Sequence, residues 1–261
     1  VTGLEPFTQQ LILMALPAII LAALVHGTFG IGFPMIATPL LALYTDVLTA
    51  VCITLLPTIS VNLAMIARGS KEQFRDIRKH LRILPFVITG TVVGTLLLVW
   101  LDPRPFFLVL AAAILLYLNQ HKLEKLDFSW VRNHTNLAYV IFGLTAGLMA
   151  GAVNVMVPVL IILFLELRLA TASMILLFNI NFFTGKLTQS LLLSQQNIKD
   201  IELILPASLW LVPAALAALY LGTRLRTYIN EDRYLKILRA VLWLMAGILV
   251  ARFIAAYLVT A

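Results

Sequence analysis

The sequence predicts an all-α polytopic membrane protein made of two inverted-topology repeats, each a broken or re-entrant helical hairpin followed by three transmembrane helices. Three observations lead there. Of 261 residues, 61% are hydrophobic and 12% charged, with a mean hydropathy of +0.99, whereas soluble chains carry about 25% charged residues. Apolar stretches able to cross a hydrocarbon core about 30 Å thick recur from end to end. Basic residues collect in a few linkers, and glycine, proline and asparagine positions of the first half return in the second.

Apolar spans fall at about 9–45, 47–67, 83–101, 106–120, 137–166, 170–190, 202–222 and 237–259. The first and fifth are too long for one crossing, and glycine and proline interrupt both. Each is predicted to be two shorter pieces folded back on one another. Val1 to Pro6 carry no basic n-region, so no cleaved signal peptide is predicted. The single cysteine, Cys52, excludes an internal disulfide and a cysteine metal cage, and is expected to pack as a small apolar side chain.

Direction comes from the lysines and arginines of short loops, which favour the cytoplasm. Arg68, Lys71, Arg75, Arg78, Lys79 and Arg82 form one basic stretch; Lys122, Lys125 and Arg132 follow His121, and Arg224, Arg226, Arg233, Lys236 and Arg239 form the third. Only Arg104 and Lys199 fall in the loops assigned outside. These placements hold together if each long span enters and leaves on the same side, which puts Arg168 inside and both chain termini outside. The charge of +7 therefore marks orientation and not a nucleic-acid partner. It divides the chain into a first membrane repeat at 1–120, a cytoplasmic linker at 121–136 and a second repeat at 137–261.

Shifting the sequence by 119 places Gly32 on Gly151, Pro39 on Pro158 and Asn62 on Asn181. Shifts of 120 to 122 add Asp46 on Glu166, Pro85 on Pro206 and Thr49-Ala50 on Thr171-Ala172. With five membrane segments in each copy, an odd number, the second must lie inverted. Inverted repeats with interrupted helices at the midplane are the architecture of many secondary transporters.

The candidate site lies at the interruptions. His26, Gly30, Gly32 and Pro34 mark one, and Gly143, Gly147, Gly151 and Asn154 the other. Broken backbone at membrane depth must be buried in protein or line a wet cavity, and helix starts there would offer N–H groups to an anion. Four-residue glycine spacing also lets helices approach closely, and that reading stays open for the second cluster. Asn62, Asn179 and Asn181 in the helices after the hairpins are candidate ligand contacts or interhelical glue. Lys186 is a candidate intramembrane cation for the solute, or a side chain that snorkels to the interface, the role assigned to Arg252. His26 is a proton relay or a packed, hydrogen-bonded ring. Asp46 and Glu166 are read as helix caps.

Gly30, Gly32 and Pro39 followed by Thr49-Ala50 and Asn62, with Gly147, Gly151, Pro158, Thr171-Ala172-Ser173 and Asn181 repeating the set, resemble the sulfite exporter TauE/SafE family of membrane permeases over essentially the whole chain. The sequence departs from that pattern at Phe33-Pro34 and Ala152-Val153, where glycines are common. The resemblance implies a carrier of small sulfur-containing anions such as sulfite, thiosulfate or organosulfonates in a bacterial cytoplasmic (inner) membrane. The partners expected are then a small anionic solute and the lipid bilayer. No catalytic residue, metal or cofactor is expected, and no nucleotide-binding loop is present. A membrane-embedded redox or metal enzyme is the competing class, but His80, His121 and His134 are assigned to loops and only His26 to a span. A structural subunit of a larger complex is the third.

Overall fold

A computed structural model describes residues 6–119, 122, 128–196, 199–226 and 231–258, and these are helical with short connections. Part of the predicted linker, including His121 and Lys125, lies outside the described residues. The first half runs α1 (Pro6–Phe29), α2 (Phe33–Leu41), α3 (Val47–Ile66), α4 (Lys71–Ile77), a 3-10 turn (Arg78–Ile83), α5 (Leu84–Trp100) and α6 (Arg104–Leu118). After the short α7 (Trp130–Asn133), the second half repeats that order: α8 (Thr135–Val153), α9 (Val157–Glu166), α10 (Thr171–Leu193), α11 (Lys199–Ala207), a 3-10 turn (Ser208–Leu211), α12 (Val212–Leu225) and α13 (Glu231–Leu258).

Among the described residues, six helical stretches are long and apolar enough to cross a membrane: Gln9–Phe29, Val47–Ile66, Lys71–Trp100, Thr135–Val153, Glu202–Leu225 and Leu238–Ala256. With 23 residues α10 has the length, at 1.5 Å rise per residue, but it is not one of the six. It carries Asn179, Asn181, Lys186 and Gln189, all buried. This helix therefore lies in the interior, packed against α3 and α5.

Proline sets where several elements begin. Pro34, Pro85, Pro105, Pro158 and Pro213 each occupy the first turn of a helix, where the missing N–H costs nothing. The basic stretch after Arg68 is helical and not a loop. Ser70 and Gln73 form a reciprocal capping box that starts α4, which continues through the 3-10 turn into α5. His80, assigned to a loop from sequence, is buried there with its Nδ1 2.7 Å from the Tyr139 hydroxyl of α8.

Glycine brings two helix pairs into backbone contact. α1 lies along α12 through Gly27 and Gly222, and α5 lies along α8 through Gly90, Gly94, Gly147 and Gly151. At each of these a β-carbon would overlap a carbonyl oxygen of the facing helix, so the close-packing reading of the Gly147 and Gly151 spacing holds. Each hairpin helix thus packs on a helix of the other half. α6 packs on α13, and α3 and α10 meet between the halves.

The structural register of the two halves differs from the sequence match. Left-handed Gly30 (φ 80°) ends α1 as left-handed Asn154 (φ 63°) ends α8, and Pro34 opens α2 as Pro158 opens α9. The offset at the breaks is therefore 124 and not 119, which pairs Pro158 with Pro34 instead of Pro39 and Gly151 with Gly27 instead of Gly32. Pro85, which opens α5, answers to Pro213, which opens α12, while Pro206 lies inside α11. Glycine and proline recur every few residues here, so several shifts score alike; the helix ends select one.

Candidate functional site

Both interruptions have the same construction. A helix ends on one residue in the left-handed region, two residues run without regular structure, and a short helix restarts with proline at its second position. Glycine adopts the left-handed conformation without steric penalty and asparagine tolerates it, so Gly30 and Asn154 are the residue types such an end requires. The helices double back: α2 packs on α1, and α9 on α8.

At the first break the free N–H of Phe33 donates to His26 Nδ1 at 3.2 Å. That nitrogen is then an acceptor, so the proton sits on Nε2, which donates to Asn179 Oδ1 at 3.1 Å. The Asn179 amide donates in turn to the Gly30 carbonyl at 2.8 Å and to Ile175 O at 2.7 Å. His26 is thus a fixed, fully engaged ring, one of the two roles its position allowed. Gly32 (φ 105°) has open space where a β-carbon would stand.

At the second break Asn154 donates to the hydroxyls of Thr38 on α2 and Thr54 on α3, at 2.7 and 3.0 Å. Lys186 Nζ donates to the Ala150 carbonyl at 3.0 Å and to Gln189 Oε1, and Gln189 Nε2 donates to Gly151 O at 2.8 Å. These carbonyls close the C-terminal end of α8, where the helix dipole favours a cation. Lys186 is fully buried and does not snorkel. α10 therefore holds both breaks, the first through Asn179 and the second through Lys186 and Gln189.

Asn62 and Asn181 stand apart from these networks. Each amide donates back to its own helix, to Thr58 O and Leu177 O at 2.7 Å, leaving a buried Oδ1 without a partner. Counted from the helix starts, Asn62 is level with Lys186 and not with Asn181, so their symmetry in sequence is not a symmetry in space. The Thr91 and Thr95 hydroxyls and Asn154 Oδ1 are likewise buried without a partner. Thr91 faces Gly185, where a β-carbon would stand 3.2 Å from its hydroxyl.

The polar residues that sequence reasoning missed are Thr38, Thr54 and Gln189. Only Gln189 carried a signal, standing one helical turn beyond Lys186. Arg252 donates to the carbonyls of Ala42 and Thr45 at 2.6 and 3.0 Å, with its guanidinium 4.9 Å from the Phe107 ring centroid. It caps the end of α2 instead of reaching for the interface. Asp46 does cap α3, accepting from Thr49 N–H at 2.9 Å. Glu166 instead pairs with Arg132 at 3.1 Å, and α10 starts with no side-chain cap.

Two cavities meet at the first break. One, about 300 Å³, is lined by Gly27, Gly30, Arg68, Gln73, Ile175 and Arg226 among others. The other, about 200 Å³ and mostly apolar, lies between the starts of α2 and α9, with Gly32, Met35, Val157, Ile161 and Phe178 in its wall. Ile175 lines both, and the chain from Gly30 to Gly32 passes from one wall to the other. A third space of about 370 Å³ sits at the α2–α3 junction, beside Gln10, Tyr44 and Asp46.

No curated protein and no solved structure matches this chain. One family model does: described as Sulfite exporter TauE/SafE, it matches residues 15–260 and so spans both halves. The chain belongs to the sulfite exporter TauE/SafE family, and is a multi-pass membrane protein of a transporter family and not an enzyme family.

Proposed function

We propose that the protein is a secondary transporter for small sulfur-containing anions such as sulfite, thiosulfate or organosulfonates, working by alternating access around the two helix breaks. The observation that carries this reading is that α10 holds both breaks by buried polar side chains, Asn179 at one and Lys186 with Gln189 at the other. Lys186 is buried with a backbone carbonyl and an amide oxygen as its hydrogen-bond partners and no carboxylate among them, which leaves its charge to be answered by an anion. His26, Gly30, Gly32, Gly151, Asn154, Asn179 and Lys186 form the site in this proposal, with the free carbonyl oxygens of Asn62 and Asn181 on the facing helices.

The exchanged packing of the halves, α1 on α12 and α8 on α5, is the pattern a two-fold axis produces. The basic loops favour placing that axis in the membrane plane, with the repeats inverted and the termini outside a bacterial inner membrane. Proteoliposomes holding the purified protein should take up radiolabelled sulfite, thiosulfate or a small sulfonate saturably. Flux no greater than that of empty vesicles for all three sinks the proposal.

A further inference from the structure

We infer that the cavity between Arg68 and Arg226 is a docking site for a hydrated small oxyanion, a vestibule in which the solute is selected before it reaches the first break. The inference rests on the transport reading and adds a site on the face of the protein that carries the basic loops. The two arginines come from different halves: Arg68 follows α3, and Arg226 follows the last residue of α12. Neither takes part in an ion pair among the described residues, and no Asp or Glu lines the cavity.

The neutral polar wall points the same way. Gln73 spends its Oε1 on the Ser70 N–H at 2.8 Å, so what it has left for the cavity is its amide NH2, a donor. Two guanidinium forks and an amide donor, with no carboxylate, suit an acceptor-only guest with several oxygens on one centre. Sulfite and sulfonate groups are of that kind. At about 300 Å³ the space holds such an ion with water around it. Its floor is Gly27 and Gly30, and beyond Gly30 lies the network of Asn179 and His26. Ile175 closes the way to the apolar chamber between the starts of α2 and α9. A guest bridging Arg68 and Arg226 joins the two halves on this face, so its departure accompanies any motion that parts them.

Calorimetric titration of the full chain in zwitterionic-lipid nanodiscs with sulfite and with methanesulfonate tests this. R68Q and R226Q should each raise Kd about tenfold, the loss of one charge-assisted contact, and the double variant should abolish measurable heat. R68K and R226K, which keep charge and length on exposed side chains, should fall between. R78Q, a basic residue of the same face outside the cavity, should bind like the parent. Parental binding by the double variant, an equal loss in R78Q, or no binding by the parent overturns the vestibule. So does an arginine dependence seen only toward phosphatidylglycerol added to the nanodiscs, which would make the cavity a lipid seat. Saturable flux of the same purified protein in proteoliposomes keeps the two readings apart, since flux with arginine-independent binding removes the vestibule and leaves the transporter.

Discussion

Asn179 and His26, 153 residues apart in sequence, meet at 3.1 Å, and the same asparagine amide reaches the carbonyl of Gly30. One side chain of the second half thus fixes both the ring and the backbone at the first break. Replacing Asn179 with alanine leaves the Gly30 carbonyl and the His26 Nε2–H buried without partners, at a cost of about 1–3 kcal/mol. N179A should unfold at a lower temperature in detergent and lose most of its flux. An unchanged Tm would mean that the break holds its shape without this bond.

Lys186 separates stability from function. K186M removes the cost of burying a charge and gives up the hydrogen bond to Gln189, two opposing effects, so it should keep the parental Tm within a few degrees while saturable anion flux falls at least about tenfold. Q189A should do the reverse at the level of folding, because it leaves the lysine with the Ala150 carbonyl alone. A K186M variant that transports at the parental rate would assign the lysine to structure.

Three glycines should rank by two different physical effects. At Gly151 an added methyl overlaps Thr91 O and crowds Thr95 N, so G151A should force α5 and α8 apart and reduce the yield of folded protein. At Gly32 nothing lies within 4 Å, but φ is 105°. G32A should therefore cost about 1–2 kcal/mol from backbone conformation alone. At Gly247 there is neither an obstacle nor a positive φ, and G247A should be tolerated. Thermal unfolding of the three variants checks the order.

Ile175 stands in the wall between the basic cavity and the apolar chamber. I175A should join the two spaces and raise passive anion leak through proteoliposomes. N179A also reaches this region but acts through the backbone, so the pair distinguishes a steric barrier from a structural one. Leak equal to that of the parent would place the barrier elsewhere.

Much of the helical plan was readable from sequence because it depends on properties of single residues. A glycine or asparagine at a left-handed position and a proline in a first turn mark Gly30, Asn154, Pro34 and Pro158 wherever the chain goes. What was lost is what depends on helix ends and on facing surfaces. An offset of 119 aligns Gly32, Pro39 and Asn62 with Gly151, Pro158 and Asn181, but the helix ends set 124, and the amides of Asn62 and Asn181 turn back onto their own helices. Lys186 stands out in the sequence, but whether it reaches for the interface or the interior turns on the α8 carbonyls, which only the packing of α8 against α10 supplies. Thr38 and Thr54 read as ordinary small helix residues until Asn154 arrived opposite them. Arg252 likewise gave no hint of α2, 210 residues earlier in the chain at Ala42.

The spacing of Asn179 and Lys186 sets a mechanical condition. They lie seven residues apart on α10, about two turns and roughly 10 Å of rise. Because the same rigid rod grips both kinks, sliding it along its axis loads them together, and neither hairpin can relax while the other stays clamped. In the alternating-access cycle proposed above, such a part would act as a tie bar, coupling the two folded-back arms so that they change position together.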